Sequence, residues 1–209
     1  MEKRCRGDWS KDALPLAPRS CVGLQDSRSA MADVASKQEQ LNATVESLGV
    51  AKFELGECTV RVAAVIESPE SYYLLDARSE EEMEVGMIPG AITKADFEAC
   101  PENFADKPVV AYCTVGYISG AVVRELRNKG FDNVNNMGDG ALLGYTLAQT
   151  TAGVACPLVK KDGTPTNEVH TFMPDLAPLA GEGMEAKTFQ DPGAMLEAAN
   201  AKIKETTGL

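Results

Sequence analysis

The sequence predicts an α/β fold, because apolar runs typical of buried strands alternate with segments of helical character. Two such runs are Tyr72–Leu75 and Val109–Tyr112, and a third strand is predicted at Asn133–Met137. A short acidic helix follows the first strand, and a helix over 120–129 follows the second after a glycine-containing loop. Strands and helices in alternation are the pattern of α/β proteins.

The other central elements follow from caps and from helical periodicity. Ser79 is placed to cap the acidic helix, and Gly130 to end the helix that precedes the third strand. A short helix is predicted at Thr59–Ile66, and a helix or irregular connection at Ala95–Asp106. Ala141–Gln149 is predicted to be the last helix of the core.

Further elements are predicted toward the two ends of the chain. Apolar residues at three- and four-residue steps predict an amphipathic helix over 33–48. An Asp-Gly turn at 162–163 predicts a hairpin, with Val169–Phe172 as the returning strand. Asp191 caps a final helix that is expected to run to about residue 206. One face of this helix is predicted to hold Met195, Leu196, Ala199 and Ile203.

Cys113 stands where the strand over 109–112 meets the following loop and helix. Backbone N–H groups and the positive end of a helix converge at such a junction, and they favour a thiolate over a thiol. Because the thiolate is the nucleophilic form, the pattern indicates a reactive cysteine. The alternative, a small buried apolar residue at a strand end, stays open.

Composition disfavours several classes of protein. The chain has 209 residues, 44% of them hydrophobic, which suits one substantial core better than two full domains. A net charge of −11 makes nucleic acid and anionic membrane surfaces poor partners. No apolar run is long enough to span a bilayer. Six cysteines without a close pair, and a single histidine at His170, predict that there is no metal site.

Cysteine usage and the first residues bear on the location of the protein. Well-spread cysteines, without a recognisable secretory signal, predict free thiols in a reducing compartment and therefore a cytoplasmic location. Residues 1–30 contain prolines and scattered charges without sustained periodicity, so they are expected to be disordered. An organelle is the alternative location if these residues form a targeting segment.

Three further motifs accompany Cys113 in a definite order. Asp76–Arg78 ends the first strand, the Gly-Met-Ile-Pro-Gly-Ala turn at 86–91 closes the acidic helix, and Gly138–Gly140 follows the third strand. Over residues 58–150 this set resembles the rhodanese-like family. The resemblance implies a small domain with a central parallel sheet flanked by helices on both faces. It also implies that Cys113 is the catalytic residue, which carries sulfur as a persulfide, and no cofactor is expected.

The chain is therefore predicted to have four parts. Residues 1–30 form an extension that is expected to be disordered, and residues 31–57 form an N-terminal helix and its connection. Residues 58–150 form the rhodanese-like domain. Residues 151–209 form a C-terminal extension with a short hairpin and a terminal helix.

The cysteine loop departs from the usual pattern of the family. Ile118 occupies the position where the family commonly has arginine, so residues 114–119 carry no side-chain cation. Isoleucine offers neither the charge nor the planar fork with which arginine binds an anion, and losing such a contact commonly costs about 1.5–3 kcal/mol. Weak use of thiosulfate is expected. A cysteine phosphatase is disfavoured too, since its arginine position holds Ser119.

The leading hypothesis is a sulfurtransferase in which Cys113 accepts sulfane sulfur and passes it to a nucleophile. Expected partners are a small sulfur donor or thiol acceptor, including a protein persulfide, with neither nucleic acid nor membrane. Two alternatives are a non-catalytic binding module and a redox-sensing module. Arg78, paired with Asp76, also has a structural alternative in fixing neighbouring loops. The expected substrate-binding residues are Thr114, Val115, Gly116, Tyr117, Ile118, Ser119 and Arg78.

Overall fold

A parallel sheet of five strands lies at the centre of the protein in this computed structural model, which describes residues 27–53 and 55–209. Its order is β1-β5-β4-β2-β3, and every neighbouring pair is parallel. The strands are β1 Thr59–Val60, β2 Tyr73–Asp76, β3 Ile92–Thr93, β4 Val109–Tyr112 and β5 Val134–Met137. In this order β4 lies in the middle, so the residue that follows it emerges at the centre of the sheet edge.

Helices cover both faces of the sheet, as the sequence predicted. Side chains of successive strand residues point to opposite faces, so Val110 packs with α2 and α6 in one core cluster. Its neighbours Val109 and Ala111 pack with α4 and α5 in a second cluster. Strands buried on both faces read as continuous apolar runs, which explains the sequence of β4. The helices are α1 Ser27–Ser47, α2 Val62–Glu67, α3 Glu80–Val85, α4 Lys94–Ala99, α5 Tyr117–Asn128, α6 Ala141–Thr151 and α7 Pro192–Thr207.

The predicted helix at Thr59–Ile66 is wrong in its first three residues. Thr59 and Val60 form β1, which pairs in parallel with β5, and the helix begins only at Val62. The short strand β3 was also not predicted. Both strands are two residues long, and they owe their strand geometry to a neighbouring strand rather than to local sequence.

Helix α5 begins at Tyr117, three residues before the start that the sequence predicted. Gly116 precedes it with a φ of +96°, a left-handed conformation that glycine adopts without strain. A Cβ at this position would lie 3.2 Å from the Met137 carbonyl oxygen. Ser119 therefore belongs to the first turn of a helix, although the sequence placed it in a loop.

Outside residues 58–150 the described structure has two long helices, α1 and α7, together with short strands. Helix α1 begins at Ser27, so the boundary expected near residue 30 falls inside it, and residues 1–26 lie outside the described part. The predicted hairpin is β6 Leu158–Val159 paired with β7 Pro165–Thr166. The predicted returning strand is wrong as a partner for this hairpin, because β8 Glu168–His170 pairs in parallel with β9 Glu185–Lys187.

The helix caps predicted at Ser79 and Asp191 are both present. The Ser79 side chain accepts the backbone N–H of Glu82, whose carboxylate accepts the backbone N–H of Ser79, so a full capping box begins α3. Asp191 accepts the N–H of Ala194 at the start of α7, as predicted. The predicted apolar face of α7 is only partly realised, since Ile203 is buried whereas Met195 is exposed.

Candidate functional site

Cys113 follows β4 directly and lies at the start of a tight loop. Its Sγ accepts a hydrogen bond from the backbone N–H of Gly116 at 3.2 Å. Gly116 is the N-cap residue of α5, so this donor lies at the positive end of a 12-residue helix. The residue is buried, with 2% of its surface exposed. The loop thus holds the sulfur against a backbone donor inside the protein.

The cysteine loop also caps the next helix of the chain. The carbonyl oxygens of Cys113 and Thr114 accept the N–H groups of Leu142 and Leu143, each at 3.2 Å. Those N–H groups lie in the first turn of α6, where a helix has no acceptors of its own. Each carbonyl oxygen gains a donor and each N–H group gains an acceptor. These hydrogen bonds hold the loop after β4 and the turn after β5 together at one edge of the sheet.

Two buried polar side chains lie beside the sulfur. The Ser119 hydroxyl oxygen is 3.5 Å from Cys113 Sγ and donates to Asn136 Oδ1 at 2.7 Å. Asn136, on β5, also donates from Nδ2 to the carbonyl oxygen of Gly116 at 3.1 Å. Asn136 was not among the residues expected from the sequence, where it appeared only as one position of the third strand.

The loop residues expected to bind substrate lie in different environments. Thr114 is buried and donates through its hydroxyl to Glu82 Oε1 at 3.3 Å. Val115 belongs to the main core cluster, and Ile118 is half-buried at the edge of another. These contacts give Thr114, Val115 and Ile118 packing or hydrogen-bonding roles, whereas the Gly116 N–H and the Ser119 hydroxyl reach the sulfur.

Tyr117 is held by both segments outside the central domain. Its hydroxyl accepts from Lys52 Nζ at 2.7 Å and donates to Asn200 Oδ1 at 2.8 Å. Its ring lies 5.5 Å from the ring of Phe53, and the Lys52 ammonium lies 4.8 Å from the Tyr117 centroid. Lys52 is a cation beside the cysteine loop that sequence reasoning missed, because it lies 65 residues before Tyr117.

Arg78 is held in a buried ion pair with Asp76. Its Nε and Nη2 donate to the two carboxylate oxygens of Asp76 at 2.9 and 2.6 Å, and Nη2 also donates to the Gly86 carbonyl at 2.7 Å. Burial alone would lower the pKa of Arg78, but the charge of Asp76 outweighs it and raises that pKa. Tyr112 donates to the same carboxylate at 2.7 Å. These contacts favour the structural role for Arg78.

His170, which belongs to the C-terminal extension, lies beside Glu82. Its Nδ1 accepts the N–H of Phe172 at 3.2 Å and lies 3.8 Å from Glu82 Oε1. Burial, together with the Arg78 charge, lowers the pKa of His170 to about 4. Burial also raises the pKa of Glu82. A neutral histidine that accepts a backbone hydrogen bond suits a structural role.

Free thiols are present at Cys58, Cys113 and Cys156, whereas Cys100 is disulfide-bonded, which departs from the expectation of free thiols. Within residues 27–53 and 55–209, no group of three or more His, Cys, Asp or Glu side chains is arranged to hold a metal ion. No helix of the same residues is long and apolar enough to cross a bilayer.

Comparison with known proteins bears on the whole central domain. The Rhodanese-like domain family matches residues 61–142. The candidate sulfurtransferase YtwF of Bacillus subtilis is 38% identical over 80 residues, which are 37% of this chain and 78% of that protein. A tRNA sulfurtransferase of Desulfurococcus amylolyticus is 48% identical over 65 residues, 30% of this chain. The match covers 13% of that longer protein's length.

Solved structures give further matches. A rhodanese-related protein from Thermoplasma volcanium is 23% identical, with 42% of this chain and 88% of that chain covered and a TM-score of 0.36. The matched segment of the family runs from the residue before α2 to the start of α6, and it includes the cysteine loop and the Gly138–Gly140 turn. With its parallel sheet, its helices on both faces and its relatives named as sulfurtransferases, this chain belongs to the rhodanese-like domain family.

Proposed function

We propose that this protein is a sulfurtransferase that carries sulfane sulfur as a persulfide on Cys113. The observation that carries the proposal is the hydrogen bond from the Gly116 N–H to Cys113 Sγ, made at the N-cap residue of α5. A backbone donor at a helix N-terminus stabilises negative charge on sulfur without rearrangement during the reaction. The same donor can accompany the sulfur through both halves of the cycle.

The chemistry has two steps that balance. The Cys113 thiolate attacks the sulfane sulfur of a donor, so that one S–S bond forms while the donor's bond to that sulfur breaks, and the donor leaves with the bonding electron pair. An acceptor thiolate then attacks the outer sulfur of the persulfide. The acceptor leaves as the new persulfide, and Cys113 is released as the thiolate. The transferred sulfur keeps its oxidation state from donor to acceptor, so no external oxidant is needed.

The donor is proposed to be less anionic than thiosulfate. With Ile118 at the usual arginine position, the loop offers an anion backbone N–H groups but no guanidinium. A small-molecule or protein persulfide fits such a loop better than a dianion. The net charge of −11 adds repulsion for anionic donors at long range. We place this reaction in the cytoplasm, because Cys113 must be reduced at the start of each cycle.

Access to the sulfur is part of the proposal. Since Cys113 has only 2% of its surface exposed, a donor reaches Sγ only when the surrounding residues move. Tyr117 is the loop residue that both outer segments hold, through Lys52 and Asn200. Opening of these contacts is therefore proposed to accompany substrate entry, as loop movements do in many enzymes.

Treatment with polysulfide followed by mass spectrometry tests the proposal. We expect the mass of one sulfur atom to be added selectively at Cys113, and to be lost again on addition of a thiol acceptor. Cys156 is exposed and Cys58 is partly exposed, so these two thiols serve as controls within the same chain. A Cys113→Ser variant should lose the selective addition. Equal labelling of all thiols, or labelling of Cys156 alone, would contradict sulfur transfer through Cys113.

Substitution of Ile118 by arginine tests the account of the donor. Ile118→Arg restores the fork for an anion at a half-buried position, so turnover with thiosulfate and cyanide should rise by roughly ten- to a hundred-fold. Ile118→Met is the matched control, because it keeps an apolar side chain of similar size. An Ile118→Arg variant that is no better than Ile118→Met would contradict the role given to the missing charge.

A non-catalytic module, which binds a partner or senses oxidation, is the second candidate. The burial of Cys113 and the absence of a cation from residues 114–119 favour it. A redox sensor would give reversible sulfenic acid or disulfide formation at Cys113 after peroxide treatment, without transfer of sulfur to an acceptor. The polysulfide experiment separates the two candidates, since only a sulfurtransferase passes the added sulfur on.

A further inference from the structure

Asn136 lies under the cysteine loop with both ends of its amide in use. It is 3% exposed and belongs to β5, the strand next to β4. Its Nδ2 donates to the Gly116 carbonyl at 3.1 Å, and its Oδ1 accepts from the Ser119 hydroxyl at 2.7 Å. Because only the NH₂ group can donate to a carbonyl and only Oδ1 can accept from a hydroxyl donor in this arrangement, the amide orientation is determined.

This orientation decides what Ser119 presents to the sulfur. A serine hydroxyl has one hydrogen and two lone pairs. At 2.7 Å the hydrogen is committed to Asn136, whereas the contact between Ser119 Oγ and Cys113 Sγ is 3.5 Å long. Cys113 Sγ is thus the second and more distant acceptor for the same hydroxyl hydrogen. A thiolate or persulfide anion needs the reverse, with the hydroxyl hydrogen turned toward sulfur.

We propose that Asn136 is a positioning residue for sulfur transfer, which acts through Ser119. The Asn136 amide holds the Ser119 hydroxyl beside Sγ. When the S–H proton leaves for solvent or base, the hydroxyl hydrogen turns from Asn136 Oδ1 to the sulfur. The Nδ2 bond to Gly116 keeps the amide in place during this exchange, so the loop donor at Gly116 is undisturbed. The proposal rests on the proposed function of Cys113, but its test also has a readout that needs no sulfur transfer.

Asn136→Asp is the variant that tests it. A carboxylate holds the Ser119 hydroxyl hydrogen more strongly than an amide oxygen does and cannot donate to the Gly116 carbonyl. We expect the rates of persulfide formation from polysulfide and of iodoacetamide alkylation at Cys113 to fall roughly ten-fold or more. Asn135→Asp is the matched control, because Asn135 is half-buried on the same strand and donates instead to the Asn133 carbonyl.

A double-mutant cycle separates positioning from mere support of the fold. Ser119→Ala removes the hydroxyl, so it should slow both reactions, and adding Asn136→Asp to it should cause little further loss. Ser119→Thr keeps a hydroxyl and should restore most of the rate. Additive losses in the cycle, or equal rates for Asn136→Asp and Asn135→Asp, would overturn the proposal. Circular dichroism of each variant shows whether it is folded, and Ser119→Ala with Ser119→Thr tests the hydroxyl if Asn136→Asp does not fold.

The outcomes for Asn136 and for the proposed function can be told apart. If wild-type Cys113 takes up no sulfur from polysulfide, the proposed function fails, while the alkylation rates still decide whether Asn136 acts on the sulfur. If wild-type Cys113 takes up sulfur and the Asn136→Asp variant does so at the same rate, only the positioning role fails.

Discussion

The central domain and the segments that flank it treat polar side chains in opposite ways. In the domain, buried polar groups satisfy one another, as in the Asp76–Arg78 pair and in the contacts of Asn136. In the flanking segments, most charged groups remain at the surface, as in the pair of Lys160 and Glu168. Buried pairs require closely matched geometry, whereas surface pairs tolerate change.

The flanking segments nevertheless meet the domain at the end that carries Cys113. Lys52 from one side and Asn200 from the other share the Tyr117 hydroxyl, and His170 lies beside Glu82, which accepts from Thr114. Tyr117 lies four positions after Cys113. Glu82 is the hydrogen-bond partner of Thr114, which follows Cys113 directly. Both flanking segments therefore contribute contacts to the residues around the candidate site.

The largest expected effect follows from breaking the buried pair of the domain. Arg78→Met leaves the Asp76 carboxylate buried without its cation, so the free energy of unfolding should fall by about 3–5 kcal/mol. Urea denaturation measures the loss. Lys161→Met is the control from a flanking segment, because Lys161 pairs with Glu80 and Glu84 at the surface. It should leave the unfolding midpoint without a resolvable change. Equal effects of the two variants would remove the contrast.

The next effect is a dependence of stability on pH through His170. Its pKa is lowered to about 4 from an ordinary value of 6.5, so the unfolded chain binds more protons between these values. The stability due to neutral His170 is fully present above pH 6.5 and is lost as the pH falls toward 4, by at most about 3 kcal/mol. His170→Gln should lack this loss when urea midpoints are compared from pH 7 to pH 4.

Glu82 must be allowed for in that experiment. Burial raises its pKa, so its protonation stabilises the folded state as the pH falls, opposite in sign to His170. The carboxyl is present in both proteins, and the difference between wild type and His170→Gln therefore isolates the histidine as far as the two groups, 3.8 Å apart, titrate independently. A difference that stays constant with pH would show that His170 is not held neutral by the fold.

The smallest effect concerns the contact between Tyr117 and the flanking segments. Tyr117→Phe keeps the ring against Phe53 but removes the hydroxyl that joins Lys52 to Asn200, so the loss should be about 1 kcal/mol. Hydrogen exchange should become faster in α7 and stay unchanged in β4. Tyr73→Phe is the control, since the Tyr73 hydroxyl donates to exposed Asp106. Unchanged exchange in α7 would show that this contact does not hold the helix.

Local sequence was a good guide to the elements whose cause is local. The Ser79 capping box, the Asp191 cap and the apolar run of β4 each depend on residues within a few positions of one another. The same holds for the junction of strand, cysteine and helix. Elements that depend on distant partners were not foreseen. β1 and β3 are strands only because β5 and β2 lie beside them, and each is too short to show a pattern of its own.

The candidate site divides along the same line. Its cysteine and its loop residues could be named from the sequence, because they follow one another along the chain from Cys113 to Ser119. Asn136 could not, since nothing in Val134–Met137 shows which side chain points toward the loop of another strand. Lys52 could not either, since the contact joins residues 65 positions apart.

By itself, the sequence determined the alternation of strands and helices, the position of Cys113 at a strand end and the lack of a cation among residues 114–119. Only the tertiary structure decided the strand order, the start of α5 at Tyr117 and the hydrogen bonds that Asn136 makes beneath the sulfur. The physical reason is the range of the forces involved. Capping and periodicity act within a turn or a strand, whereas strand pairing and buried hydrogen bonds arise only once the chain has brought distant residues together.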